Sequence, residues 1–127
     1  MEKRKQMFRV IIAGTRTFSN YALLAEYADK KLAEVSKRDS IEIVSGGASG
    51  ADTLGERYAK ERGYYIRRFD AEWKKYGRAA GPRRNKQMAE YADALLAYWD
   101  GKSRGTKNMI ELAKENRLQV GVKLYEL

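Results

Sequence analysis

Four short stretches of the 127-residue chain carry the side chains and backbone that could handle a phosphate. They are Gly14-Thr15-Arg16, Ser45-Gly46-Gly47-Ala48-Ser49-Gly50-Ala51-Asp52, Gly81-Pro82-Arg83-Arg84-Asn85, and Trp99 through Thr106 with Gly101 and Gly105. Glycines let backbone amides approach an anion closely, and the free N–H groups of a following helix favour negative charge. Ser45–Asp52 is the strongest of these signals. It has neither the Gly-Lys-Ser/Thr ending of a P-loop nor the Gly-x-Gly-x-x-Gly spacing of a dinucleotide fold. Read alone, it is first a tight strand-to-helix turn, with Asp52 merely favouring the helix start; a second Gly-rich turn at Gly101–Gly105 shifts the balance to anion binding. Arg16 is placed to clamp phosphate or carboxylate with its guanidinium fork, or to be an exposed loop cation. Arg83 and Arg84 at a helix start oppose the helix dipole, which suits an anionic partner. Trp99 could stack on a base or pack on the rim of the core. Trp73 and Tyr76 could close over a ligand or pin their own loop. Asp52 and Glu111 are the well-placed carboxylates, without the spacing of a paired acid and base or of a metal site.

Composition narrows the chemistry. There is no cysteine and no histidine, so disulfides, Cys/His metal centres, a thiol nucleophile and a histidine base are all excluded. No metal and no cofactor is expected. The formal net charge is +9, and the window Arg67–Lys86 alone holds +6 of it. That concentration invites a nucleic-acid or phosphate partner, although the run could also be a solvated face. The longest uninterrupted apolar run, Ala94–Trp99, has six residues, against the roughly 20 needed to span a bilayer. No membrane contact and a cytoplasmic location are expected.

These stretches need elements to position them, and the hydrophobic period supplies them. Strands are predicted at Phe8–Gly14, Ile41–Ser45, Tyr64–Phe69, Asp93–Trp99 and Leu118–Leu124. Helices are predicted after Ser19 or Asn20 as N-cap, over Ala51–Arg62 closed by Gly63, from Pro82 onward, and through Met109, Ile110 and Ala113. Ala51, Gly55 and Ala59 form a small-residue row that would let their helix lie close on a sheet. Asp70–Gly81 reads as a twelve-residue working loop. The alternation predicts one α/β domain over 8–127: a three-layer, Rossmann-like (flavodoxin-like) fold. It has a mainly parallel five-stranded sheet, with helices on both faces. The expected strand order is the flavodoxin-like 2-1-3-4-5 or a close Rossmann-like relative. Residues 1–7 read as a basic N-terminal extension. Every Gly-rich or basic turn then falls at a strand's carboxyl end, where such sheets bind ligands.

In that order and combination the four motifs resemble the YspA-like branch of the SLOG superfamily, which unites the DprA/Smf proteins with the "lonely guy" phosphoribohydrolases. The likeness covers the chain from the first strand to the last. It implies a Rossmann-like pocket for a nucleotide or nucleotide-derived ligand, in a branch of largely unknown function met in phage and mobile elements. The ligand-binding residues it implies are Gly14, Thr15, Arg16, Ser45, Gly46, Gly47, Gly50, Ala51, Asp52, Arg84, Asn85, Trp99, Gly105 and Thr106. Ile43–Asp52 is similar to the DprA motif V-S-G-x-A-x-G-I-D, which implies single-stranded DNA as the alternative partner. The phosphoribohydrolases carry P-G-G-x-G-T-x-x-E with a catalytic Glu. This chain keeps Gly105-Thr106 without a Glu on the turn that follows. A hydrolase reading would rest instead on Asp52 and Arg84 as the catalytic pair. Relatives that self-associate through a helical face imply a homo-oligomer. The expectation is a ligand-binding or sensor module first and a nucleotide N-glycosidic hydrolase second.

Overall fold

A computed structural model describes residues 6–126; within the extension read over 1–7, residues 1–5 lie outside that range. Val10, Ile11 and Ile12 are fully buried in strand β1 (Met7–Gly14), which is apolar on both faces and therefore central. It lies between β2 (Ser40–Ser45) and β4 (Ala94–Trp99), with β3 (Tyr65–Arg68) and β5 (Gln119–Leu124) at the edges. The order is β3-β2-β1-β4-β5 and every pairing is parallel. This is the Rossmann-like arrangement of the two expected, not the flavodoxin-like 2-1-3-4-5. The physical reason is in β3. Its residues Tyr-Ile-Arg-Arg are exposed at all four positions, which an edge tolerates and a central strand does not.

Alternate residues of the strands feed two cores. Val10, Ile12, Ile41, Ile43 and Leu96 pack with helices α1 (Tyr21–Arg38) and α2 (Ala51–Arg62). Ile11, Ala13, Val44, Leu95 and Ala97 pack on the other face with helices α4 (Ala80–Tyr91) and α5 (Arg104–Glu115). Of the two N-cap candidates for α1, Asn20 caps, its side chain accepting from Leu23 N at 3.0 Å. The small-residue row of α2 works as read: a Cβ on Gly55 would lie 2.7 Å from Ile12 Cγ2, so the helix sits directly on β1.

The segment Asp70–Gly81 is more ordered than the loop its sequence suggests. It holds the single turn α3 (Trp73–Tyr76) and a 3₁₀ turn over Gly77–Ala79, and α4 begins at Ala80 rather than at Pro82. Proline is tolerated there because the first helical turn has no use for its N–H. Side-chain contacts that carry no period hold the segment: the Arg83 guanidinium lies 3.9 Å from the Tyr76 ring centroid, and Trp73 lies over Gly81. Among the described residues, no helix is long and apolar enough to cross a membrane.

Candidate ligand-binding cleft

From β1 the chain moves outward through β2 to β3, then crosses back over β1 to enter β4. The loops after β1 and β4 therefore part in opposite directions and leave a crevice at the carboxyl ends of these strands. The crevice measures about 810 Å³, within the usual size of a small-molecule site. Its floor includes Ala13, Met88 and Met109, its deeper polar groups are Asp52, Arg84, Asn85 and Thr106, and its rim carries Arg16, Lys102 and Arg104.

The β1 loop is tied to both neighbours. Thr15 N donates to Tyr98 O at 3.0 Å, and Thr15 Oγ1 accepts from Asp100 N at 3.2 Å. Thr15 O accepts from Ala51 N at 3.4 Å at the start of α2. Gly14 and Gly50 permit this approach: a Cβ would meet Tyr98 O at 2.2 Å in one case and Thr15 O at 2.4 Å in the other. Gly50 also has φ +76°, a conformation that L side chains rarely adopt. Arg16 is left exposed at the cleft mouth, its guanidinium 6.0 Å from the Trp73 ring.

The Gly-rich loop after β2 turns several of its amides inward. Gly47 N donates to the buried Ser45 Oγ at 3.1 Å, and Ala48 N donates to Asp52 Oδ2 at 3.2 Å. The loop thus already holds an anion, the carboxylate of its own Asp52. Burial pushes the Asp52 carboxyl up to about 6, against the pull of the Ala48 amide and of Arg84. Arg84 is also buried, which lowers its pKa, while the charge of Asp52 acts in the opposite sense. Its Nη1 donates to Gly46 O and its Nε to Asn85 Oδ1 at 3.0 Å. Asn85 Nδ2 in turn donates to Asn108 Oδ1 at 3.0 Å, joining α4 to α5 beneath the cleft.

Beyond β4, Asp100 accepts from the amides of Lys102 and Ser103 at 2.8 and 2.9 Å, and these bonds hold its carboxyl below the usual range. Ser103 caps α5 by accepting from Thr106 N at 3.3 Å. Gly105 faces open space.

Of the residues singled out from sequence, Gly14, Thr15, Arg16, Asp52 and Arg84 come together in the cleft with Asn85, Gly105 and Thr106. Gly46 and Gly47 line an adjoining hollow. Ser45 and Ala51 are fully buried beneath the loop, and Gly50 serves the backbone contact described above. Trp99 does not line the cleft. Its Nε1 donates to Ser103 O at 3.0 Å, and its ring packs on the core formed with α4 and α5. Glu111 points away and lies 3.9 Å from Lys107, whereas Met109 occupies the cleft floor. Sequence reasoning passed over Asn108, Lys102 and Asp70. Asp70 carried a positional signal, since it stands within two residues of the carboxyl end of β3. Asn108 carried none beyond lying one helical turn after Gly105.

A model of the YAcAr family, described as the YspA, cpYpsA-related SLOG family, matches residues 8–76. The Gene 61 protein of Mycobacterium phage D29 is 30% identical over 122 residues, covering 90% of this chain and 94% of the phage protein. Among solved structures, DNA processing protein A (DprA) of Streptococcus pneumoniae aligns with a TM-score of 0.68 at 18% identity. The alignment covers 92% of this chain and 50% of that one, so the chain spans half of the pneumococcal protein. DprA of Helicobacter pylori, whose structure concerns its single-stranded DNA binding mode, aligns with a TM-score of 0.66 at 20% identity over 94% and 66% of the two chains. At these identities the likeness to DprA is one of fold.

Proposed function

The chain belongs to the YspA, cpYpsA-related SLOG family, and from that premise we propose that its cleft binds a nucleotide or nucleotide-derived phosphorylated ligand, as a sensor or ligand-binding module. The observation that carries the reading is the cleft itself, which opens at the switch point of the sheet and has the cations Arg16, Arg84, Lys102 and Arg104 facing it. With Asp52 bound to the Gly-rich loop, the phosphate belongs nearer Arg16, Arg84 and the open start of α5 at Gly105 and Thr106. Met88 and Met109 offer an apolar floor to a base, and Asn85 and Asn108 offer amide groups beside it.

A thermal-shift screen over nucleotides tests this. A ligand at about 100 times its Kd stabilises the folded state by about 2.7 kcal/mol. Arg16→Ala removes an exposed side chain and should keep the midpoint of the free protein while losing most of the ligand-induced rise. A flat screen across the panel contradicts the reading.

Two features support other activities. The buried Asp52 carboxyl at about 6, beside Arg84, suits proton transfer near neutral pH and so supports N-glycosidic hydrolysis of a nucleotide. Release of free base from nucleoside monophosphates, lost in Asp52→Asn, is the expected sign; intact substrate contradicts it. The basic run from Lys74 to Lys86, with half-exposed Trp73 at its start, supports single-stranded DNA as partner. Affinity should then fall steeply with salt and weaken on charge reversal in that run.

A further inference from the structure

The cleft continues past Trp73. A hollow of about 400 Å³ opens between the Gly-rich loop and the segment leading into α3, and Arg16, Ala48, Trp73 and Arg84 line both spaces. The two form one depression with a pair of arginines at the junction.

The two lobes differ in chemistry. The larger has the methionine floor and the asparagine amides. The smaller is walled by Gly46, Gly47, Ser49 and Asp70. Gly47 has φ +72°, and a Cβ there would lie 2.8 Å from Asp70 Oδ1, so this carboxylate can lie against the loop at the edge of the hollow only because residue 47 lacks a side chain. Asp70 makes no hydrogen bond or ion pair with another described side chain. Its neighbour Arg68 is engaged instead with Glu56, Nε to Oε2 at 3.1 Å. A carboxylate with both oxygens free is an acceptor pair that matches the two donors of a vicinal diol. It also repels a phosphate, which therefore belongs at the junction, between Arg16 and Arg84. A deoxyribose strand brings no such diol and places phosphates on both sides of its sugar.

We propose that the smaller lobe is a sugar subsite. The ligand then carries its phosphates in the middle, at Arg16 and Arg84, with a planar base in the larger lobe and the hydroxyls of a second group against Asp70. This rests on the nucleotide reading above and narrows it to nucleoside diphosphates whose terminal phosphate bears a sugar.

Calorimetric titration of the full chain with AMP, ADP and ADP-glucose tests the proposal, with the matching guanine and uracil series (GMP, GDP, GDP-mannose; UMP, UDP, UDP-glucose) beside it. In the series whose base binds, the sugar diphosphate should bind about tenfold or more tighter than the diphosphate, the worth of a hydrogen bond to a charged group. Asp70→Asn, an exposed substitution, should abolish that gain, and because it removes a charge that repels phosphate beside Arg84 it should leave monophosphate affinity at least as high. Monophosphate binding with no gain from the sugar, or a gain that survives in Asp70→Asn, overturns the subsite and leaves the nucleotide reading standing. No binding in any of the three series overturns both.

Discussion

Two carboxylates one turn apart on α2 meet opposite fates. Asp52, at the first turn, is buried beside the cleft and pushed up to about 6 by that burial. Glu56, four residues on, is also buried, and burial alone would raise it. Hydrogen bonds from Arg68 and Ser45 outweigh that effect and hold it below the usual range. The difference lies in what each faces. Glu56 is clamped across β2 and β3 by a cation with no other described carboxylate partner. Asp52 faces Arg84, whose donors go to Gly46 O and Asn85 instead. The Glu56 end of α2 is built for stability, and the Asp52 end leaves charge incompletely compensated where a ligand would sit.

Breaking the support common to both should have the largest effect. Gly50→Ala puts a Cβ 2.4 Å from Thr15 O on a backbone at φ +76°. A loss of about 3 kcal/mol or more is expected, read as a collapse of the denaturation midpoint. Glu56→Gln comes next, at about 2 kcal/mol, because it uncouples Arg68 and weakens the acceptor of the buried Ser45 hydroxyl. Its pH dependence follows from the sign of the shift. Glu56 is lowered on folding, so its contribution is present at neutral pH and fades as pH falls through its folded-state pKa.

Asp52 has the opposite sign. Its folded pKa is raised, so the folded state holds the proton more tightly between about pH 4 and pH 6, and ionised Asp52 costs stability above that window. Asp52→Asn should therefore stabilise the protein by about 1–2 kcal/mol at pH 7.5, with the gain closing by about pH 4. Thermal melts of the two proteins across that range check it, and a gain that persists at pH 4 contradicts the assignment. At the small end, Glu111→Gln loosens only the exposed Lys107 pair on α5. It should change stability by less than about 0.5 kcal/mol.

This contrast was only half legible in the sequence. Asp52 was visible because it closes a Gly-rich stretch at a helix start. Its carboxylate, however, fills the loop it was expected to leave open to a phosphate, a contact between Asp52 Oδ2 and Ala48 N that no spacing reveals. Nothing in its spacing sets Glu56 apart from other helical acids, since its partner Arg68 comes from strand β3. The strands and α2 were readable because burial imposes a period, and Gly63 marked the helix end with φ +72°. The strand order was not resolved by period, although the two arginines of β3 already argued for an edge. Trp99 shows the same limit: position at a strand's end could not tell stacking on a ligand from packing on α5, and its indole is bound to Ser103 O.

The most direct test sets the two carboxylates side by side in nucleotide binding. Wild type, Asp52→Asn and Glu56→Gln are titrated at pH 7.5 with the nucleotide that gives the largest thermal shift. Removing the negative charge that borders the cleft should tighten binding of the phosphorylated ligand by about tenfold, worth about 1.4 kcal/mol, while Glu56→Gln should bind as the wild type does. Equal affinities in all three proteins, or equal changes in both variants, would contradict the account.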